Sequence, residues 1–70
     1  MDLTTVMEQY GTYLYKIAYL YVKNHETAEE IVQDVFVDYY FQQQFEGRSS
    51  LKTYLVKMTI NKCHNHLRVV

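Results

Sequence analysis

Apolar residues recur at intervals of three and four from the start of the chain, in Leu3, Val6, Met7, Tyr10, Leu14, Ile17, Ala18 and Tyr21. That spacing keeps returning to one side of a 3.6-residue helix, so it predicts a first helix with a single buried stripe. Gly11 interrupts the stripe, at a cost of ~1 kcal/mol relative to Ala in a helix interior. The pattern breaks at Asn24 and His25, which form the expected joint. A second helix is expected to open on Thr27-Ala28-Glu29-Glu30, the Ser/Thr-x-x-Glu spacing of a capping box. Acids in that first turn also favour the positive end of the helix dipole. Ala28, Ile31, Val32, Val35 and Tyr39 make its inner stripe. After Phe45-Glu46-Gly47-Arg48, either Ser49 or Ser50 is placed to cap a third helix starting near Leu51. Leu51, Tyr54, Leu55 and Met58 are its inner stripe. The pattern predicts an all-α, compact three-helix domain.

Composition agrees with long helices and short joints: 70 residues, 49% hydrophobic, no Pro and only two Gly. A chain this short buries only ~60% of its unfolded surface, so its core is small and must be used efficiently. A single Cys excludes an internal disulfide and fits a reducing compartment. No apolar run approaches the ~18 residues of a membrane span, and the first residues lack the layout of a signal peptide. The expectation is one soluble cytoplasmic domain over residues 1–70, with no membrane partner.

Charge changes the picture more by its placement than by its sum of −1. Residues 1–44 hold seven acids against Lys16 and Lys23, a balance of −5, whereas residues 45–70 hold five basic residues against Glu46, a balance of +4. Such asymmetry fits two different partners at the two ends, or a solvated surface that happens to segregate.

Two surfaces are not explained by the core. On the second helix, Val37, Tyr40 and Phe41 fall outside the stripe, beside Glu30, Gln33, Asp34 and Asp38. An apolar patch rimmed by acids and an amide fits a protein-binding face; aromatics folding back over a small core is the other reading. On the third helix, Thr53, Lys57, Asn61, His64 and Arg68 are spaced 4, 4, 3 and 4. They fall within roughly 80° of arc, away from Leu51 and Leu55. Cations suit phosphates, and amide or hydroxyl groups suit base edges. The preceding segment adds Arg48, two hydroxyls and Phe45, whose ring can stack on an unpaired base. A solvated polar face and a nucleic-acid face both fit this pattern.

Cys63, His64 and His66 are metal-ligand types, but a structural zinc site needs four ligands and the remaining His25 is distant in sequence. No metal or cofactor is expected. Nor is an enzyme, because three short helices leave little concave volume and no nucleophile–base pair or carboxylate pair is visible.

The run HETAEEIVQDVFVDYYFQQQFEGRSSLKTYLVKMTINKCHNHLR resembles region 2 of the extracytoplasmic-function group of bacterial sigma factors. The resemblance lies in Ala28-Glu29-Glu30-Ile31-Val32-Gln33-Asp34-Val35-Phe36, in Phe45-Glu46-Gly47-Arg48-Ser49-Ser50-Leu51-Lys52-Thr53-Tyr54-Leu55 and in Thr59-Ile60-Asn61-Lys62-Cys63. YGTYLYKIAYLYVKN is similar to the family's first helix, so nearly the whole chain is covered. The resemblance implies the helical fold of sigma region 2 and two partners. Glu30, Gln33, Asp34 and Val37 would dock on the clamp coiled coil of core RNA polymerase. Phe45, Arg48, Ser49 and Ser50 would line a pocket for a base flipped from the melted non-template strand of the promoter −10 element. Asn61 would support or read that base, and Lys52, Lys57, Lys62 and Arg68 would meet phosphates. The polymerase, not this domain, would do the chemistry.

The chain departs from the family pattern at several points. Tyr54 stands where the family usually has Trp, Glu30 where it has Asp, and Met58-Thr59 before Ile60 replace its usual Ile-Ala pair. The sequence ends at Val70, without the basic run that commonly follows or the region 4 domain that reads the −35 element. That implies an excised domain, or a separate region 2 protein needing a partner that supplies region 4; an anti-sigma factor is a further partner. The rival expectation is a protein-binding adaptor that keeps the second-helix surface and uses the third helix only for packing.

Overall fold

The structure is a computed structural model that describes residues 3–42 and 50–69, and in it the predicted three-helix pattern forms α1 (Leu3–Val22), α2 (His25–Gln42) and α3 (Leu51–Val69). Each helix packs on both of the others, so the three enclose one core. α3 runs antiparallel to α2: Tyr54 meets Tyr39 edge-on at 6.4 Å, while Lys62 and His66 share a cleft with Asp34 and Thr27. No helix among the described residues is long and apolar enough to cross a membrane.

The first joint is tighter than the pattern implies. Lys23, at φ 56°, turns the chain out of α1 in the left-handed region, and its N–H donates to Tyr19 O at 2.8 Å. Asn24 then caps α2: its Oδ1 accepts from Thr27 N at 2.9 Å, and its carbonyl accepts from Ala28 N. The expected cap at Thr27 is therefore corrected. Thr27 lies in the first turn, and His25 belongs to the helix rather than the joint. Asn and Thr are both good caps, but an Asn three residues upstream takes the N–H that would otherwise stay unpaired. At α3 the choice between two serines resolves to Ser50, whose Oγ accepts from Thr53 N at 3.1 Å and donates to Thr53 Oγ1 at 2.8 Å.

The core holds Val6, Leu14 and Ala18 of α1, Ala28, Ile31, Val32, Val35 and Phe36 of α2, and Leu55, Thr59 and Cys63 of α3. Two members of the expected α1 stripe, Met7 and Tyr21, are exposed instead, while Tyr15, Tyr19 and Val22 pack against the core. Conversely, Phe36, Thr59 and Cys63 were outside the expected stripes. The reason is geometric: each helix faces two neighbours, so its buried arc is wider than a single stripe and is centred between them. Phe36 lies across from Gly11, where a Cβ would come 4.0 Å from the Phe36 ring, an ordinary contact distance. Thr59 solves the problem of a buried hydroxyl by donating to Leu55 O at 2.9 Å, one turn back. Thr59 thus fills a core position, and Tyr54 packs against the core, edge-on to Tyr39.

The corrected cap has a measurable consequence. Asn24→Ala is expected to lower stability in urea unfolding by ~1 kcal/mol, the usual worth of an N-cap, while Asn24→Asp preserves it. A change of less than about 0.5 kcal/mol for Asn24→Ala, the level of an ordinary surface substitution, would contradict this cap.

Candidate functional site

The outer side of α2 is the surface left over once Ala28, Val32, Val35 and Tyr39 have turned inward. At 100° per residue, Glu30, Gln33, Asp34 and Val37 fall together on the opposite arc. All four are exposed, Val37 to 49%. Tyr40 and Phe41 extend the same arc; they are 51% and 75% exposed and meet edge-on at 5.2 Å. They do not fold back over the core. The face therefore runs from acids at its N-terminal half to aromatics at its C-terminal half.

On α3 the five polar residues Thr53, Lys57, Asn61, His64 and Arg68 are all exposed. His64 stands at one edge of this strip, its ring edge-on to Tyr21 of α1 at 5.4 Å. Ser50 sits at the N-terminal end as the cap, exposed like the strip. The expected nucleic-acid set is nevertheless divided. Lys57, Asn61 and Arg68 share the strip, but Lys52 and Lys62 do not. Lys52 leans toward α1, with its Nζ 4.6 Å from the centre of the Tyr13 ring, a cation–π contact. Lys62 leans toward α2 and pairs with Asp38 at 2.6 Å. The signal was in the spacing: Lys62 is seven residues beyond the fully buried Leu55, so the two share a side of the helix. Phe45, Arg48 and Ser49 lie outside the described residues.

Two open grooves flank α2. One, of about 370 Å³, runs between α1 and α2 over Gly11, Val32 and Phe36, with Glu8 and Glu29 beside it. The other, of about 330 Å³, lies between α2 and α3 and carries Glu30, Asp34, Lys62, Asn65 and His66. Among the described residues no three His, Cys, Asp or Glu side chains converge as metal ligands. Cys63 is fully buried, and that burial pushes its thiol pKa up, so it acts as a small core residue.

An aromatic cluster at the α1–α2 corner went unnoticed in the sequence. Tyr15 hydrogen-bonds His25 Nδ1 through its hydroxyl, and Tyr19 stacks on the His25 ring at 4.7 Å. Withdrawal from water, then the nearby Glu29 carboxylate and Tyr19, hold the Tyr15 phenol above its ordinary pKa. The i, i+4 spacing of Tyr15 and Tyr19 was visible, but the ring that joins them comes from the next helix.

The family model for Sigma-70 region 2 matches residues 6–69. The chain belongs to the Sigma-70 region 2 family. No match is found among curated proteins or among solved structures. The match spans all three helices, and the all-α fold is that of a region 2 domain. Region 2 domains take part in sigma-dependent transcription initiation as non-enzymatic modules, and generally bind core RNA polymerase and promoter DNA.

In this region 2 domain the Lys62–Asp38 pair should act as a structural tie between α2 and α3. Lys62→Ala is expected to lower stability by ~0.5–1 kcal/mol, less so in high salt. Lys57→Ala should leave it within about 0.5 kcal/mol. Equal effects of the two substitutions in urea unfolding would remove the distinction drawn between these lysines.

Proposed function

We propose that this domain docks on core RNA polymerase through the outer face of α2, and recognises and opens the promoter −10 element through residues 45–50 and α3. The observation that carries the reading is the separation of two exposed faces of opposite character in a region 2 domain. Glu30, Gln33, Asp34 and Val37 form one, and Lys57, Asn61 and Arg68 the other.

The acids of the first face fit basic residues of a clamp coiled coil, and complementary charge there speeds encounter and fixes register. Val37, with Tyr40 and Phe41 beyond it, supplies the apolar area that such a contact needs. On the second face, Lys57 and Arg68 neutralise phosphates, while Asn61 presents an amide to a base edge. Unstacking a base costs a few kcal/mol, which stacking on Phe45 and hydrogen bonds from Arg48, Ser49, Ser50 and Asn61 offset. Lys52 and Lys62 reach phosphates only by leaving Tyr13 and Asp38, so their share is secondary to that of Lys57 and Arg68. With few phosphates engaged, the isolated domain should hold single-stranded DNA weakly, and more weakly as salt rises.

The same intramolecular engagement of Lys52 and Lys62 favours a second reading, a protein-binding adaptor that uses α2 and leaves DNA alone. Titration of the chain against fluorescently labelled core RNA polymerase, with and without a −10 non-template oligonucleotide, distinguishes the two. Asp34→Lys should weaken polymerase binding roughly tenfold, equivalent to ~1.4 kcal/mol. Asn61→Ala should leave polymerase binding intact and lose oligonucleotide retention. Retention unaffected by Asn61→Ala and Lys57→Ala together would favour the adaptor, and unaltered polymerase binding by Asp34→Lys would overturn the docking face.

A further inference from the structure

α2 and α3 divide charge between them without mixing it. α2 carries five acids and no Lys or Arg; α3 carries Lys52, Lys57, Lys62 and Arg68 and no acid. α1 adds Lys16 and a single acid, Glu8, which faces the α1–α2 groove. Exposed apolar residues divide the same way. Val37, Tyr40 and Phe41 lie with Glu30 and Asp34 on the outer face of α2. Tyr13, Leu20, Tyr21 and Leu67, between 38% and 65% exposed, lie along α1 and α3. Two contacts place Tyr13 and Tyr21 on the α1–α3 seam, Tyr13 with Lys52 and Tyr21 with His64; Leu20, seven residues beyond Tyr13, and Leu67, three beyond His64, fall on the same sides of their helices. Lys16 and Lys57 are exposed on the two helices that form it, with no acid from either beside it.

Because every helix packs on both others, the α1–α3 seam lies on the side of the molecule opposite the outer face of α2. These two surfaces, one apolar with acids and one apolar with cations, cannot meet within one chain. They can meet between two. We propose that the domain self-associates head to tail, with the acidic aromatic face of α2 in one copy seated on the basic apolar seam of α1 and α3 in the next. Charge complementarity fixes the orientation, since two copies of either face would set like charges together. The contact joins unlike surfaces, so it leaves one face of each kind free at the ends and has no intrinsic stop. Polymerase docking and self-association would then compete for Asp34 and Val37; this consequence rests on the proposed function, whereas self-association does not.

Analytical ultracentrifugation of the 70-residue chain, with no polymerase present, tests the proposal. Leu20→Ser alters the seam and Phe41→Ser alters the α2 face, both at exposed positions where the fold is little affected; circular dichroism checks this. The wild-type chain should show a mass that rises reversibly with concentration and falls with added salt. Each variant alone should be monomeric or nearly so. An equimolar mixture should form a 1:1 dimer, because each variant retains the face that the other lacks. A wild-type chain monomeric throughout overturns the proposal and leaves the seam to an acidic partner of another sequence. Self-association abolished by Leu20→Ser but untouched by Phe41→Ser overturns it in favour of a two-fold contact through the seam. A mixture that stays monomeric overturns it as well.

Discussion

Three helices of about twenty residues must bury enough apolar surface among themselves to stand without a disulfide, and each can do so only by giving a wide arc to two neighbours at once. Leu14, Val35 and Leu55, each fully buried and each from a different helix, belong to the core on which those arcs converge. A Leu or Val buried this way contributes ~1.5–3 kcal/mol, a large share of the stability of so small a domain. What a helix has left after that contribution is one outward strip. On the proposed reading the functional surfaces are these strips, whose composition is free because the core does not use them.

That freedom explains the polarity of the molecule. α2 spends its outer strip on acids and exposed aromatics, and α3 on cations, an amide and a hydroxyl. Opposite charges close enough to meet have been drawn into the fold, as with Lys62 on Asp38. Lys52 is likewise held, over an aromatic ring. On α3 the cations that remain outward are Lys57 and Arg68. In a Sigma-70 region 2 domain this separation is what the proposed division between polymerase and DNA rests on.

Much of this was legible in the sequence. The three helices follow from the spacing of apolar residues, and Ser50 was one of two serines placed to cap the third. The outward strips of α2 and α3 were read correctly because exposure at 100° per residue depends on one helix at a time. Errors arose wherever two helices had to be known together. Phe36 became core on the side of α2 that faces Gly11 of α1, and Tyr21 stayed exposed at the α1–α3 edge, where its ring meets His64. Asn24 displaced Thr27 as cap because the joint is two residues long, with Lys23 in a left-handed turn that periodicity does not encode. The resemblance implied phosphate contacts for Lys52 and Lys62; that they also meet Tyr13 and Asp38 was not legible, because those partners are remote in sequence.

The central claim is that α2 and α3 serve different partners within one initiation complex. Photo-crosslinking tests it most directly, with benzoylphenylalanine at position 34 or at position 57 of the chain assembled with core RNA polymerase and a melted −10 promoter fragment. The account predicts that position 34 labels a large polymerase subunit and no DNA, while position 57 labels the non-template strand. Crosslinks from both positions to polymerase alone, or to DNA alone, would contradict it.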